Sequence, residues 1–273
     1  MEFLKALILG MVQGLTEFLP VSSSGHLVIF QKLLGFQQQG IAFDVFVHLG
    51  TLLAVLVVFR QDILRILRTL PGLPSFIASG FQVKSEDDQY RAITVFIIIA
   101  SIPTGIIGLS LESKVELLFK SLLVVSLALI VTGLIMWTSR FAREREPFMN
   151  GAQAFLIGFA QAFAIIPGIS RSGSTIVSAM WLGLNRELAA RFSFLLSIPV
   201  IFFAALQQTG QLLQAPPSTR ELFELAVGTL SAAVFGYLAI IWLLKIVQRR
   251  RLDLFAYYCF AVGGAGLLIS LFT

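Results

Sequence analysis

The sequence predicts an all-α polytopic membrane protein with six transmembrane helices plus two re-entrant helical hairpins in an inverted-topology repeat. Three observations predict this class. The 273 residues are 57% hydrophobic and only 13% charged, with a mean hydropathy of +0.88, whereas charged residues make up about a quarter of a soluble domain. Apolar stretches long enough to cross a bilayer recur along the chain. Two further apolar regions are interrupted by clusters of Pro, Ser and Gly.

Each predicted span is an apolar stretch of about 20 residues, the length that crosses the hydrocarbon layer. In chain order the spans are about 41–60, 92–111, 119–139, 188–210, 222–245 and 253–273. The chain lacks the short alternating segments of an outer-membrane barrel, so helices are the expected spanning elements. The segment from Gly72 to Asp88 carries Pro74 and an acidic trio, directly after Pro71, and predicts a cytoplasmic loop. We therefore expect residues 1–273 to form a single integral membrane domain.

The two remaining apolar regions, about 1–35 and 150–184, predict the re-entrant hairpins. Their interruptions read Pro20-Val21-Ser22-Ser23-Ser24-Gly25-His26 and Pro167-Gly168-Ile169-Ser170-Arg171-Ser172-Gly173-Ser174. An opened backbone at membrane depth is tolerated only where protein or a water-filled cavity receives its polar groups. The two breaks are therefore candidate binding sites.

The halves of the chain, about 1–140 and 150–273, each consist of a hairpin followed by three spans. Identical residues recur at one constant offset, with Gly10, Gln13, Ser22, Ser24 and Gly25 matching Gly158, Gln161, Ser170, Ser172 and Gly173. Because the number of spans per half is odd, the second half enters the membrane from the opposite side. We expect an inverted repeat with a pseudo-two-fold axis in the membrane plane.

The basic residues predict the orientation. With this topology one side carries Arg60, Arg65, Arg68, Lys84, Arg91, Arg140, Arg143, Arg145, Arg186, Arg191, Lys245, Arg249, Arg250 and Arg251, and the other carries Lys5, Lys32, Lys114, Lys120 and Arg220. Since Lys and Arg are enriched in cytoplasmic loops, the first side is expected to be cytoplasmic and both termini to lie outside. This placement accounts for the net charge of +5 without a nucleic-acid partner.

The second half-helix of each hairpin starts near the midplane, where its first amides lack intrahelical partners and its dipole is positive. Serines are good N-cap residues, and glycines allow close backbone approach. Together with Arg171, whose planar guanidinium suits phosphate oxygens, the facing N-termini predict an anion site. The expected phosphate-binding residues are Ser22, Ser24, Gly25, Ser170, Ser172, Gly173 and Ser174.

Glu17 and Arg171 are the charged residues of the predicted site. An arginine near the bilayer centre costs at least about 2.5 kcal/mol, so it needs a counter-charge or a hydrated cavity. Ligand binding by Arg171 and a structural ion pair with Glu17 both satisfy this need. Glu17 also shares a helix face with Gln13, four residues earlier. The two could hold Mg²⁺ or Ca²⁺, with water and phosphate completing the shell, although capping or pairing with Arg171 explains the spacing equally well.

The chain contains two histidines. His26 follows Ser23 by about one helical turn, so its imidazole could take a proton from a serine hydroxyl or from water. A core histidine bonded to a carbonyl is the alternative. His48 lies in a span beside Asp44, where a structural hydrogen bond and a functional role are equally supported.

The residues from Gln13 to His26 and from Pro167 to Ser174 resemble the two signature motifs of bacterial undecaprenyl-diphosphate phosphatases, the family associated with bacitracin resistance. The resemblance covers essentially the whole chain. It implies an enzyme of the cytoplasmic (inner) membrane that hydrolyses undecaprenyl diphosphate to undecaprenyl phosphate and inorganic phosphate, which recycles the carrier lipid for peptidoglycan synthesis.

The resemblance also implies roles for individual residues. It makes Glu17 the essential acidic residue, Ser23 the nucleophile, His26 its acid/base partner and Arg171 the phosphate clamp. The family's first motif position is Glu or Gln, and this chain has Gln13. With one carboxylate fewer, a metal shell completed through water is expected.

The alternative function is a polyprenyl-phosphate flippase, because inverted repeats with broken helices are also a transporter plan. A flippase would need the anion site without the Ser and His pair. For the enzyme, attack by Ser23 and attack by an activated water both stay open. The expected partners are the polyprenyl diphosphate lipid and the bilayer, with the site opening to the outer side, and a homodimer is left open.

Overall fold

The structure is a computed structural model that describes residues 2–36, 40–145, 148–214, 218–249 and 251–272. Among these residues the regular elements are helices, joined by two short 3₁₀ turns. The helices are α1 (Glu2–Phe18), α2 (Ser23–Leu34), α3 (Gly40–Val58), α4 (Arg60–Thr69), α5 (Leu73–Ala78), α6 (Glu86–Phe119), α7 (Leu122–Thr138), α8 (Gly151–Phe163), α9 (Arg171–Trp181), α10 (Arg186–Gln214), α11 (Thr219–Gln248) and α12 (Leu254–Phe272). The predicted all-α class is confirmed.

The described residues contain five helices that are long and apolar enough to cross a membrane, located in α6, α7, α10, α11 and α12. A sixth span is present if Phe43–Val58 and Arg60–Ala78 are taken together, since these segments pass the same test as a pair bent by 78°. Five of the six predicted apolar stretches therefore fall on these single helices, and the stretch 41–60 falls on α3 and the first residue of α4, which belong to the bent pair. Of the basic residues that predicted the orientation, Arg250 lies outside the described residues.

The sequence did not predict α4 and α5, and the expected loop from Gly72 to Asp88 is partly helical. Pro71 and Pro74 stand in the first turns of a 3₁₀ turn and of α5. A proline is tolerated at the start of a helix, because its missing N–H has no intrahelical partner there in any case. The prolines that suggested a loop therefore begin short helices.

Two segments have the form helix, break, helix. In the first, α1 and α2 pack on each other and are separated by residues 19–22. In the second, α8 and α9 pack on each other and are separated by residues 164–170. This arrangement is compatible with the predicted re-entrant hairpins.

Each half of the chain packs its first helix against the other half, α1 against α11 and α8 against α6. The repeat residues Gly10 and Gly158 lie at these two contacts. A Cβ on Gly10 would lie 2.3 Å from the carbonyl oxygen of Gly228, and one on Gly158 would lie 2.3 Å from that of Ala100. Small residues allow helices to approach this closely. Each half therefore contributes its first helix to a close contact with the other half.

Candidate active site

The two helix breaks are in direct contact. Ser24 Oγ accepts a hydrogen bond from the backbone N–H of Gly168 at 3.4 Å. Ser172 Oγ donates to the carbonyl oxygen of Leu19 at 3.2 Å. The first residues of α2 and α9 therefore lie side by side inside the protein, although they are far apart in sequence.

Serine side chains cap both of these helices. Ser22 Oγ accepts from the amide of Gly25 at 3.4 Å, and Ser170 Oγ accepts from the amide of Gly173 at 3.0 Å. A serine hydroxyl at this position satisfies one of the unpaired N–H groups of the first turn. The caps leave other first-turn amides, with the positive ends of both helix dipoles, at the same junction.

Glu17 is the residue to which several polar side chains of the junction bind. Its Oε1 accepts from Arg171 Nη2 at 2.5 Å. Its Oε2 accepts from Ser23 Oγ at 2.6 Å and from Gln13 Nε2 at 2.9 Å, and His48 Nε2 lies 3.6 Å away. Glu17 is only 8% exposed. A buried carboxylate therefore holds a serine hydroxyl and a guanidinium at once.

Arg171 forms an ion pair with Glu17. This pair was one of the two ways in which the sequence analysis accounted for an arginine at membrane depth. Its side chain is 15% exposed, and Nη1 also lies 3.5 Å from the carbonyl oxygen of Ser193 in α10. A guanidinium carries five N–H donors, so this pairing does not exhaust its capacity for hydrogen bonds. The ion pair and a role in binding an anion are therefore compatible.

The sequence interpretation left the role of His48 open, and the structure puts this residue in the site. Its Nδ1 lies 2.6 Å from the carbonyl oxygen of Asp44, and its Nε2 faces Glu17. The signal in the sequence was an ionisable side chain in the middle of a span, which is a functional candidate by default. The nearby Asp44, which suggested a purely structural hydrogen bond, uses its own side chain to accept from Gln31 Nε2 at 2.7 Å.

The structure does not bring His26 and Ser23 together as a hydrogen-bonded pair within the described chain. His26 Nδ1 lies 2.8 Å from the carbonyl oxygen of Ser22, and Nε2 lies 2.8 Å from the hydroxyl of Tyr258. The two rings stack with centroids 5.5 Å apart. Ser23 donates to Glu17 instead. The expected pairing is not formed because the imidazole binds the carbonyl oxygen of Ser22, four residues earlier, through Nδ1. Its Nε2 binds Tyr258, a residue that the sequence analysis missed.

The predicted phosphate-binding residues fall into two groups. Of this set, Ser24 is partly exposed, and so are the predicted catalytic residues Ser23 and Arg171. The others are buried, namely Ser22, Gly25, Ser170, Ser172, Gly173 and Ser174. Several of the buried hydroxyls hold the breaks together, as Ser172 and Ser22 do through backbone carbonyls of the opposite break. The partly exposed residues, Ser23, Ser24 and Arg171, are therefore the ones that a ligand can contact directly.

Gln13 and Glu17, the predicted metal ligands, are hydrogen-bonded to each other. Gln13 Oε1 is buried with no hydrogen-bond partner among the described residues, so one acceptor oxygen beside the carboxylate is unused. Among these residues no group of three or more His, Cys, Asp or Glu side chains is arranged to hold a metal ion. The donor set fits a hard cation that takes most of its ligands from water and phosphate.

Several spanning helices surround two broken helices, whose junction holds a carboxylate, a serine hydroxyl and an arginine. These features define an integral membrane protein with a polar, charged site inside a helical bundle. The chain belongs to the family described as bacitracin resistance protein BacA, whose family model matches residues 6–265.

The chain is also similar to individual relatives named undecaprenyl-diphosphatase. It is 44% identical over 270 residues to that of Methanobrevibacter smithii, covering 96% of each chain. It is 43% identical over 266 residues to that of Halothermothrix orenii, again covering 96% of each. It is 42% identical over 275 residues to that of Desulfosudis oleivorans, covering 99% of this chain and 100% of the relative. The family resemblance stated from the two motifs is confirmed.

Proposed function

We propose that this protein is a membrane phosphatase that hydrolyses undecaprenyl diphosphate to undecaprenyl phosphate and inorganic phosphate. The relatives over its full length carry that activity in their names. The observation that carries the proposal is the Ser23 hydroxyl at 2.6 Å from a Glu17 carboxylate that also pairs with Arg171. This activity returns the carrier lipid to peptidoglycan synthesis and is the basis of bacitracin resistance in this family.

In the first chemical step, Ser23 Oγ attacks the terminal phosphorus of the diphosphate. Its proton passes to Glu17 Oε2, which already accepts the hydroxyl hydrogen bond. The bond between the terminal phosphorus and the bridging oxygen breaks, and undecaprenyl phosphate leaves. Glu17 takes the role of base that the sequence had suggested for His26, because the hydroxyl proton points at Glu17.

In the second step, water attacks the phosphorus of the phosphoserine, and inorganic phosphate leaves as Ser23 Oγ takes back a proton from Glu17. Direct attack by a water activated by Glu17 is the rival mechanism. Rapid-quench trapping decides between them, because only the covalent route accumulates phosphate on Ser23.

Arg171 and the first-turn amides of α2 and α9 stabilise the charge that develops on the terminal phosphoryl oxygens. Arg171 is the first residue of α9, so its guanidinium and the helix dipole act at one place. Ser23 and Ser24 are both partly exposed at the start of α2. The buried serines and glycines of both breaks act mainly by fixing these amides.

A divalent cation, Mg²⁺ or Ca²⁺, is part of the proposal. Gln13 Oε1 and Glu17 would hold it, and the unused oxygen of Gln13 supports this assignment. When bound, the cation would neutralise phosphate charge and orient the diphosphate. A chelator is expected to lower phosphate release by the purified protein, and added Mg²⁺ or Ca²⁺ to restore it.

We further propose that the protein lies in the cytoplasmic membrane as an inverted repeat of halves 1–140 and 150–273, with re-entrant hairpins, outer termini and a site that opens outward. The excess of Arg and Lys on one side of the predicted topology supports this orientation. The single cysteine, Cys259, is buried, so engineered surface cysteines can be labelled against a low background. Labelling of Arg68→Cys from the outside of intact cells would overturn the orientation.

The function is tested with purified wild-type protein and undecaprenyl diphosphate in detergent. Phosphate release that is lost in Ser23→Ala supports the phosphatase. A polyprenyl-phosphate flippase, the alternative, would use the anion site without the serine. Lipid translocation in vesicles by Ser23→Ala, with no phosphate release by the wild type, would overturn the proposal.

A further inference from the structure

We propose that His26 and Tyr258 act as positioning residues that clamp the turn between α1 and α2 and thereby hold Ser23 against Glu17. The inference rests on the proposed phosphatase for its kinetic readout, but it also has a structural readout of its own. It assigns His26 a role through the backbone of Ser22, and it assigns Tyr258 a role that no local sequence pattern indicates.

The turn that needs a clamp is centred on Ser22. This residue has φ 69° and ψ 97°, and a positive φ is uncommon for a residue other than glycine. Such a conformation persists only when the surrounding structure enforces it. Ser23, the next residue, is the first residue of α2, so the direction of its hydroxyl depends on the backbone of Ser22.

His26 binds the carbonyl oxygen of this strained residue twice. Its backbone N–H donates to Ser22 O at 3.2 Å, and Nδ1 lies 2.8 Å from the same oxygen. A carbonyl oxygen only accepts hydrogen bonds, so Nδ1 carries the proton and donates it. In the neutral imidazole Nε2 is then an acceptor, and the Tyr258 hydroxyl donates to it at 2.8 Å. Both nitrogens are therefore committed to holding the turn.

The helix α12 supports the turn at two successive residues. Tyr258 fixes His26 by a hydrogen bond and by parallel stacking, with the rings inclined by 7°. The next residue, Cys259, is buried and has its Sγ 3.8 Å from the carbonyl oxygen of Pro20. Because α12 is a long apolar helix packed on α7, it is a rigid support for a short irregular segment. The clamp therefore connects the reactive serine to the last span.

Loss of the clamp lets Ser22 relax toward negative φ, which turns Ser23 away from Glu17. We expect Tyr258→Phe, which keeps the ring but removes the hydroxyl, to lower kcat about tenfold with little change in KM and no change in the shape of the pH–rate profile. Tyr257→Phe is the matched control, because Tyr257 is the adjacent tyrosine on α12 and, like Tyr258, is exposed, but it is not part of the contact with His26. The Tyr258→Phe loss should also be smaller in a Ser22→Gly background, because glycine adopts positive φ without strain.

His26→Asn and His26→Ala separate positioning from acid–base catalysis. An asparagine side chain can still donate to the Ser22 carbonyl but cannot carry a proton between substrate groups, so His26→Asn should keep several-fold more activity than His26→Ala. Equal losses of about a hundredfold or more in both variants, with loss of one limb of the pH–rate profile, would overturn the clamp and restore the acid–base role.

The structural readout does not depend on the activity. Because the chain has two histidines, His48→Gln leaves His26 as the only one, and NMR of isotopically labelled histidine then reports its tautomer. We expect a neutral ring protonated at Nδ1, whose Nε2 resonance shifts on Tyr258→Phe. A ring protonated at Nε2, or a resonance insensitive to Tyr258, contradicts the clamp. If wild-type protein releases no phosphate while the expected tautomer is found, the phosphatase fails and the clamp stands.

Discussion

The two helix breaks share a backbone design but differ in their chemistry. Both place a serine cap and a following glycine at the start of a half-helix. At the positions where the first break has Glu17, Ser23 and His26, the second has Ile165, Arg171 and Ser174 at the constant repeat offset. One break therefore supplies the carboxylate and the hydroxyl, and the other supplies the cation. In the proposed phosphatase site, the two breaks therefore contribute different reactive groups.

The breaks are also held in place differently. At the second, Gly168 has φ 97°, and a Cβ there would lie 2.4 Å from the carbonyl oxygen of Val125. Thr132 Oγ1 fixes this segment by donating to Gly168 O at 2.7 Å and accepting from Ser170 N at 3.0 Å. Close packing against α7 thus fixes the arginine half. At the serine half, the side chain of His26 bonds to the turn, and Tyr258 of α12 bonds to His26.

The largest expected effect tests the chemical division between the breaks. Ser23→Ala should lower kcat about a thousandfold or more, because it removes the attacking hydroxyl and leaves only binding and charge stabilisation. Ser270→Ala is the matched control, since among the described residues that hydroxyl donates to the carbonyl of Leu267 within its own helix. The measurement is phosphate release from undecaprenyl diphosphate. Activity in Ser23→Ala within tenfold of the control would favour direct attack by water.

The sequence predicts the site residues that lie at the helix breaks but not those that reach the site from spanning helices. Glu17, Ser23 and Arg171 were found because they stand at breaks that the bilayer makes costly. His48 and Tyr258 enter the site from the spans α3 and α12, and Tyr258 contacts a residue 232 positions away in the chain. Only helix packing brings such residues together, so local periodicity carries no trace of the contact.

The fold also has a part that the sequence predicts, the spans, and a part that it does not, the short helices α4 and α5. The six spans follow from hydropathy alone, because a lipid-exposed helix must be apolar along its length. The short helices α4 and α5 lie after the 78° bend that follows α3. Ile63 and Ile66 of α4 pack against the core, while the chain around them is rich in arginine. Such a mixed segment does not predict a span by itself, and its prolines pointed to a loop.

The second prediction joins the two breaks through the ion pair between Glu17 and Arg171. Removing one member of a buried pair leaves an uncompensated charge and costs about 3 to 5 kcal/mol, whereas replacing both removes the charge altogether. Arg171→Gln alone should therefore lower the thermal unfolding temperature strongly, and Glu17→Gln with Arg171→Gln should recover much of it. Both proteins should be inactive. A double variant no more stable than the single one would show that the pair is not the source of the loss.

The third prediction asks whether the halves are equally dependent on close helix contacts. Gly10→Ala and Gly158→Ala each force a methyl group against a carbonyl oxygen of the other half, so both should destabilise by about 1 to 3 kcal/mol. Gly264→Ala is the control, because a Cβ there would meet no atom within 4 Å. Thermal unfolding in detergent measures all three. A large difference in destabilisation between Gly10→Ala and Gly158→Ala would mean that the helices of one half can move apart to accept the methyl group and those of the other cannot.

The smallest expected effect concerns Ser174, the counterpart of His26. Its hydroxyl is buried and has no hydrogen-bond partner among the described residues. Ser174→Ala removes an unsatisfied polar group, so stability should change by less than about 0.5 kcal/mol or rise slightly, with kcat unchanged. The sequence had grouped this serine with the phosphate-binding residues, and a tenfold fall in phosphate release would reinstate it there. An unchanged rate would mean that the second break acts on substrate through Arg171 and its amides alone, which is the asymmetry that the two motifs imply.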